Sequence, residues 1–145
     1  MGITAEVTLN FLTKGWQMQN VNYFLLLAAV NGFFAVALGA FGSHGLKSRL
    51  DEYHLGIWQT AVQYHFYHAI ALCVVGILWQ KSVGSTWLNS CGYLFIAGIV
   101  LFCGSLYWMA LGGPRWLGPV TPLGGFCFLL GWLCLAISAL RLDKH

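Results

Sequence analysis

The chain has 145 residues, of which 59% are hydrophobic and only 8% charged, and its formal net charge is +3. Soluble domains carry about a quarter charged residues, so this composition excludes an ordinary soluble globular domain. The small net charge also argues against a nucleic-acid partner, because nucleic-acid-binding domains concentrate basic residues on one face. We therefore expect an integral membrane protein whose principal partner is the lipid bilayer.

The N-terminal segment differs from the rest of the chain. Residues 1–20 are polar and lack a regular apolar period, so we expect an extension outside the membrane domain. Met18 directly precedes the first apolar run and is an alternative start to Met1.

Four uncharged segments follow, at 15–46, 53–80, 82–114 and 116–140. Each is longer than the roughly 20 apolar residues that a helix needs to cross about 30 Å of hydrocarbon. The sequence therefore predicts an all-α membrane protein with four transmembrane helices in an antiparallel bundle. We expect these helices at about 21–41, 58–80, 88–111 and 122–142, within one domain at 21–145.

The connection between the first two spans has its own pattern. Leu46, Leu50, Tyr53 and Ile57 share one face of a helix, and charged residues occupy its other faces. Such an amphipathic segment is typical of a helix that lies in the membrane interface. We therefore predict a short interfacial helix between helices 1 and 2.

Small residues recur every three or four positions in the spans. In the first span they are Ala28, Gly32, Ala35, Gly39 and Gly42, and in the fourth Gly124, Cys127, Gly131, Cys134 and Ser138. Helices in lipid associate through close backbone contact, which small residues permit. This pattern predicts tight helix packing and carries no function by itself.

Basic residues give the orientation. Four of them (Lys14, Lys81, Arg141 and Lys144) lie on one side of a four-span protein, against three on the other (Lys47, Arg49 and Arg115). Basic residues accumulate on the cytoplasmic side, so this count predicts that both termini are cytoplasmic.

Polar residues concentrate in one half of the predicted bundle, where span 1 ends, span 2 begins, span 3 ends and span 4 begins. We predict a one-sided polar vestibule there, and its candidate ligand-binding residues are Asn31, His44, Gln63, His65, His68, Ser105, Tyr107 and Arg115.

His68 is the most informative of these residues. It follows Trp58 by ten residues, about 15 Å along a helix, which places it near the middle of the bilayer. Asn31 precedes Phe41 by the same interval, so Asn31 and His68 are expected to meet if spans 1 and 2 are neighbours. An ionisable group at this depth usually faces the protein interior or a wet cavity. A structural hydrogen bond and a ligand contact both remain open for His68, while His65 favours the structural interpretation.

The sequence offers no catalytic constellation, because no carboxylate lies inside a span to act as a base or to orient a histidine. The five cysteines all lie within apolar segments and have no paired spacing, so we interpret them as buried hydrophobic side chains. We therefore predict no enzyme activity, no metal site and no cofactor.

Several sequence blocks resemble a known family. They are Gly39-Ala40-Phe41-Gly42-Ser43-His44-Gly45-Leu46, the segment 58–69, Gly104-Ser105-Leu106-Tyr107 and the segment 117–125, with Gly131-Trp132 after them. This combination resembles the YgdD/YwdK-like family of small bacterial membrane proteins, which is similar to the eukaryotic transmembrane protein 256 group. The resemblance implies four spans in a bacterial cytoplasmic membrane, and it implies no established activity.

Two functional hypotheses follow from these observations. In the first, the chain is a non-enzymatic accessory or assembly protein that associates with a membrane-protein partner or with further copies of itself. In the second, it is a binding or transport protein whose histidine-lined vestibule holds a small solute, a lipid, a quinone or a metal.

Overall fold

A computed structural model describes residues 21–82 and 85–142. Its α-helices are α1 (Tyr23–Phe41), α2 (Glu52–Lys81), α3 (Thr86–Gly98), α4 (Gly104–Ala110) and α5 (Val120–Leu142). Two π-helical turns, at Gly42–Leu46 and Ile99–Cys103, extend α1 and join α3 to α4. The expected N-terminal extension at 1–20, with its alternative start at Met18, lies outside the described residues.

Four of these helical stretches are long and apolar enough to cross a bilayer. They are span 1 (Tyr23–Leu46), span 2 (Glu52–Lys81), span 3 (Thr86–Ala110) and span 4 (Val120–Arg141), each between 22 and 30 residues long. The described residues contain no strand. The predicted all-α, four-span fold class is confirmed.

The predicted interfacial helix is not a separate element. Leu46 ends the first π-helical turn, residues 47–50 form turns, and the remaining residues belong to α2, which begins at Glu52. The reason lies at Asp51, whose extended backbone (ψ 169°) interrupts the helical path. Its carboxylate then accepts a hydrogen bond from the backbone N–H of His54 (2.8 Å), so it caps one continuous helix. The apolar face of the segment buries Leu46 against Trp58.

Spans 2 and 3 form the centre of the structure. In their most apolar windows 44% and 39% of residues are buried, against 17% and 22% in spans 1 and 4. Span 1 packs along span 2, and span 4 packs along span 3. The outer faces of spans 1 and 4 are therefore left for lipid.

Glycines set the distance between spans where aromatic rings cross them. A methyl group at Gly92 would overlap the ring of Phe24, and one at Gly98 would overlap the ring of Phe128. Gly131 meets Phe95 in the same way, with a would-be Cβ 2.7 Å from the ring. Each ring occupies the space that the side chain of a larger residue would need at the glycine position. Small residues hold membrane helices together in this way, because they permit close contact.

Candidate functional site

A hydrogen-bonded cluster of Asn31, His65 and Tyr107 connects three spans. The imidazole Nε2 of His65 lies 3.1 Å from Asn31 Oδ1, and its Nδ1 lies 3.3 Å from the Tyr107 hydroxyl. The Asn31 amide nitrogen donates to the carbonyl of Leu27 at 2.8 Å. Because Asn31 Oδ1 can only accept, Nε2 carries the proton of a neutral ring, and Nδ1 accepts from Tyr107. Span 2 is thereby tied to spans 1 and 3 through one buried side chain.

Asn31 and His68 do not meet, although spans 1 and 2 are neighbours as expected. His65 takes the place next to Asn31, and His68 contacts residues of span 4. Three residues rotate a helix by about 300°, so these histidines point about 60° apart. The position of a residue along its helix predicts its depth in the membrane, whereas the rotation of the helix about its axis determines which residues it contacts.

His68 is buried between spans 2 and 4. Its ring lies flat against Phe128, with centroids 3.4 Å apart and an interplanar angle of 11°. Its Nδ1 lies 2.8 Å from the backbone carbonyl of Tyr64, and Trp132 Nε1 donates to its Nε2 at 3.3 Å. A carbonyl can only accept, so His68 carries its proton on Nδ1, the opposite tautomer to His65.

A pocket of about 390 Å³ opens beside His68. Aromatic rings surround it, with Pro122 and Gly125 of span 4 at its edge; the rings are those of Tyr64, Phe102, Phe128 and Trp132. We call this space the His68 pocket. The His68 pocket is separate from the Asn31–His65–Tyr107 cluster, so the two central histidines lie in different environments.

The other predicted site residues lie in separate places. Ser105 is buried, donates to the Phe102 carbonyl and lies 2.7 Å from the hydroxyl of Thr121, which links spans 3 and 4. His44 is exposed in the first π-helical turn. Arg115 begins a single 3-10 turn, and its side chain lies outside the described part of the chain.

Gln63 faces outward and does not point into the bundle. With Gln59 and Tyr67 it forms an exposed row at four-residue spacing along α2, which we call the α2 polar stripe. Grooves of about 430 and 290 Å³ lie between this row and span 1. Gln63 was expected inside the polar vestibule, and its four-residue spacing from Gln59 and Tyr67 would have indicated the face that the three residues share.

The buried polar side chains of the described residues are hydrogen-bonded within the protein. Every buried side-chain nitrogen and oxygen in 21–82 and 85–142 has a hydrogen-bond partner within the protein. The same residues contain no group of three His, Cys, Asp or Glu side chains placed to hold a metal ion. The arrangement is therefore suited to holding helices together and offers the His68 pocket and the outward grooves for binding.

Fold and site together define a small four-span α-helical membrane protein, and the buried polar side chains of its described residues are hydrogen-bonded within the protein. Residues 38–125 match the family model described as a protein of unknown function, DUF423. The chain is 44% identical over 118 residues to the UPF0382 membrane protein YwdK of Bacillus subtilis, covering 81% of this chain and 96% of the relative. It is 43% identical over 118 residues to a UPF0382 membrane protein of Staphylococcus epidermidis, covering 81% and 95%.

The chain belongs to this DUF423 family of membrane proteins, and the resemblance seen in the sequence is confirmed. Its relatives carry names that describe membrane proteins without a stated activity. No solved structure gives a significant match to the chain.

Proposed function

We propose that this chain is a non-enzymatic accessory or assembly protein that binds a transmembrane helix of another membrane protein. The α2 polar stripe is the contact surface in this proposal. The observation that supports it is that Gln59, Gln63 and Tyr67 are all exposed on one face of a membrane span.

The depth of the stripe makes its exposure costly in a lone chain. Gln63 lies five residues past Trp58, about 7.5 Å along the helix, and Tyr67 lies about 13.5 Å past it. Lipid hydrocarbon offers no hydrogen-bond partner to a carboxamide at such a level. A neighbouring helix does, and Gln side chains at helix interfaces form hydrogen bonds across them.

The groove beside the stripe supports the same function. On span 1 the groove is lined by the exposed Ala40 and by Gly39, with the buried Ala35 below them, and small residues at such an edge let a second backbone approach closely. A would-be Cβ at Gly39 would lie 3.2 Å from Val62, so this edge is already closely packed. The surface thus offers both contact types on which membrane helix pairs depend.

The buried polar residues support a non-enzymatic role. His65 and His68 are held by neighbouring groups on both ring nitrogens. A general base needs a free nitrogen or carboxylate within reach of a substrate proton. In this proposal the histidines take no proton from a substrate, and the outer face of α2 carries the function.

The proposed location is the bacterial cytoplasmic membrane, with both termini in the cytoplasm. The relatives come from Bacillus subtilis and Staphylococcus epidermidis. The four-to-three distribution of basic residues favours this orientation over its inverse.

Blue-native electrophoresis of gently solubilised membranes tests the proposal. With a tagged chain at its natural expression level, we expect a band larger than the monomer. Gln59→Leu/Gln63→Leu should release the monomer, because it removes the stripe's carboxamides and leaves an apolar surface that lipid can cover. Gln80→Leu is the matched control, since Gln80 is an exposed glutamine at the other end of α2.

A monomer band for the parent protein, or a double variant that migrates like the parent, would refute the proposal. Mass spectrometry of the large band separates a different partner from a second copy. A band that contains this chain alone would replace the accessory role by homo-oligomerisation. Thermal unfolding of the purified double variant checks that its fold is intact.

A further inference from the structure

The His68 pocket has the shape and chemistry of a small ligand site. Its volume of about 390 Å³ lies within the range of roughly 300–1,000 Å³ that ligand sites occupy. The rings of Tyr64 and Phe102 are 4.8 Å apart, and those of His68 and Phe128 are stacked. Flat walls of this kind favour a flat guest, because aromatic rings gain most from offset or edge contact with another ring.

The pocket opens towards lipid. Phe126, Leu129 and Trp132 at its rim are 62%, 67% and 48% exposed on span 4. Gly125 is five residues from the start of α5 and Trp132 twelve, so the opening lies about 7.5–18 Å along the span. A ligand would therefore enter from the bilayer and would need to be lipid-soluble.

One donor and one acceptor meet inside this apolar space. The indole N–H of Trp132 points at the Nε2 lone pair of His68 across 3.3 Å, beyond the usual range for a strong hydrogen bond. Nε2 is an acceptor because Nδ1 donates to the Tyr64 carbonyl. Trp132 is half exposed and can therefore move, whereas His68 is 5% exposed and fixed against Phe128.

A hydroxyl group matches this pair, since it accepts one hydrogen bond and donates another. Placed between the two side chains, it would accept from Trp132 and donate to His68. A carbonyl would satisfy Trp132 alone and leave the His68 lone pair without a donor. The π-helical turn Ile99–Cys103 brings Phe102 to the wall, and such turns are frequent at functional sites.

We propose that the His68 pocket binds a hydroxylated aromatic ring that carries an apolar tail, as in the quinol form of a lipid-soluble quinone. The indole N–H of Trp132 donates a hydrogen bond to the ring hydroxyl, and the same hydroxyl donates a hydrogen bond to Nε2 of His68. The tail leaves through the lipid-facing rim. This is a binding site for the reduced ring and includes no electron transfer.

Binding to the full chain in lipid nanodiscs tests the proposal, with protein-free nanodiscs as the blank. The probes are decyl-benzoquinol under argon, decyl-benzoquinone, and 1-decanol, which share one tail. We expect the quinol to bind at least tenfold more tightly than the quinone, which lacks the hydroxyl, and than decanol, which lacks the ring. Equal affinity of the quinol and either other probe would overturn the proposal.

Two kinds of variant locate the site. Gly125→Leu should weaken quinol binding at least tenfold by filling the pocket, and it should fold because its Cβ has only ordinary contact with Phe102 at 3.8 Å. Gly104→Leu is its control, with nothing within 4 Å of the new Cβ. His68→Phe and Trp132→Phe keep a ring and should reduce the preference for quinol over quinone. Unchanged binding in Gly125→Leu, or an unchanged preference in both ring variants, would overturn the assignment.

Discussion

The Nε2 atom of His65 lies 3.1 Å from Oδ1 of Asn31, and this contact joins residues 34 positions apart across spans 1 and 2. Around it the spans meet through apolar side chains and glycines, so the cluster is one of few directional contacts between them. Hydrogen bonds between membrane helices average about 0.6 kcal/mol and reach about 1.7 kcal/mol. The contact therefore fixes the rotation of the helices more than it stabilises them.

A double-mutant cycle on Asn31→Ala and His65→Ala should give a coupling energy of about 0.6–1.7 kcal/mol. Both single variants should unfold more easily in detergent titrations, since each leaves a polar partner unpaired. Ser43→Ala takes the place of Asn31→Ala in a control cycle, because Ser43 is exposed and its hydroxyl bonds only within α1 and its extension. A coupling no larger than that of the Ser43/His65 pair would mean that the observed bond contributes nothing.

Neighbouring glycines in α5 should respond in opposite ways to alanine. A methyl group at Gly124 would overlap the Phe102 backbone, so Gly124→Ala should destabilise the protein by about 1–3 kcal/mol. Gly125 has room for a methyl group, so Gly125→Ala should be neutral or stabilise by up to about 1 kcal/mol through helix propensity. Unfolding titrations of the two variants measure this contrast, and equal effects would contradict the close contact between the Ile99–Cys103 turn and α5.

The spans were predictable because hydropathy and length depend only on composition along the chain. The ends of the helices differ from the expected ends where a capping side chain determines the first residue of the helix. Asp51 begins α2 at Glu52, six residues before the expected start near Trp58, because its carboxylate caps the helix.

The partners of the histidines were not predictable in the same way. Their depth follows from residue number, but the rotation of each span depends on ring-into-glycine packing such as Phe128 against Gly98. The π-helical turns at Gly42–Leu46 and Ile99–Cys103 add a further change of rotation. The sequence therefore indicates His65 and His68 as central residues, but it does not indicate Trp132 as the donor to His68.

The start of α2 should loosen in acid. The backbone N–H and then the ring of His54 hold the pKa of Asp51 below its ordinary value of 3.8. A carboxyl whose pKa is lower in the folded state stabilises the fold fully above pH 3.8, its ordinary pKa. This contribution is lost as the pH falls through the lower folded-state pKa.

Hydrogen exchange at the His54 amide measures this loss between about pH 5 and pH 2, the range in which carboxyl groups titrate. We expect protection in the parent protein to fall at the acid end, after correction for intrinsic exchange. Asp51→Asn should show no such fall, since its amide oxygen does not titrate, and this variant also isolates Asp51 from the nearby Glu52. A parent profile that matches the variant would show that the cap does not depend on charge.

Cysteine labelling should report the orientation. Ser48→Cys lies between spans 1 and 2, and Ser82→Cys lies directly after α2. With cytoplasmic termini, a membrane-impermeant maleimide should label position 48 in intact cells and position 82 only after lysis. The five native cysteines lie within the helices, which keeps the background low. The opposite labelling pattern would show the inverse orientation and would contradict the prediction of cytoplasmic termini from the basic-residue count.

Photo-crosslinking in living cells shows whether the outer face of α2 binds another membrane protein. A benzophenone amino acid would replace Gln63, and in a separate strain Leu130, which is 50% exposed on span 4 and far from the stripe. We predict one discrete product from position 63 that contains a different membrane protein, and none of that mass from position 130. Identical products from both positions, or a product at 63 that holds only this chain, would contradict the accessory role.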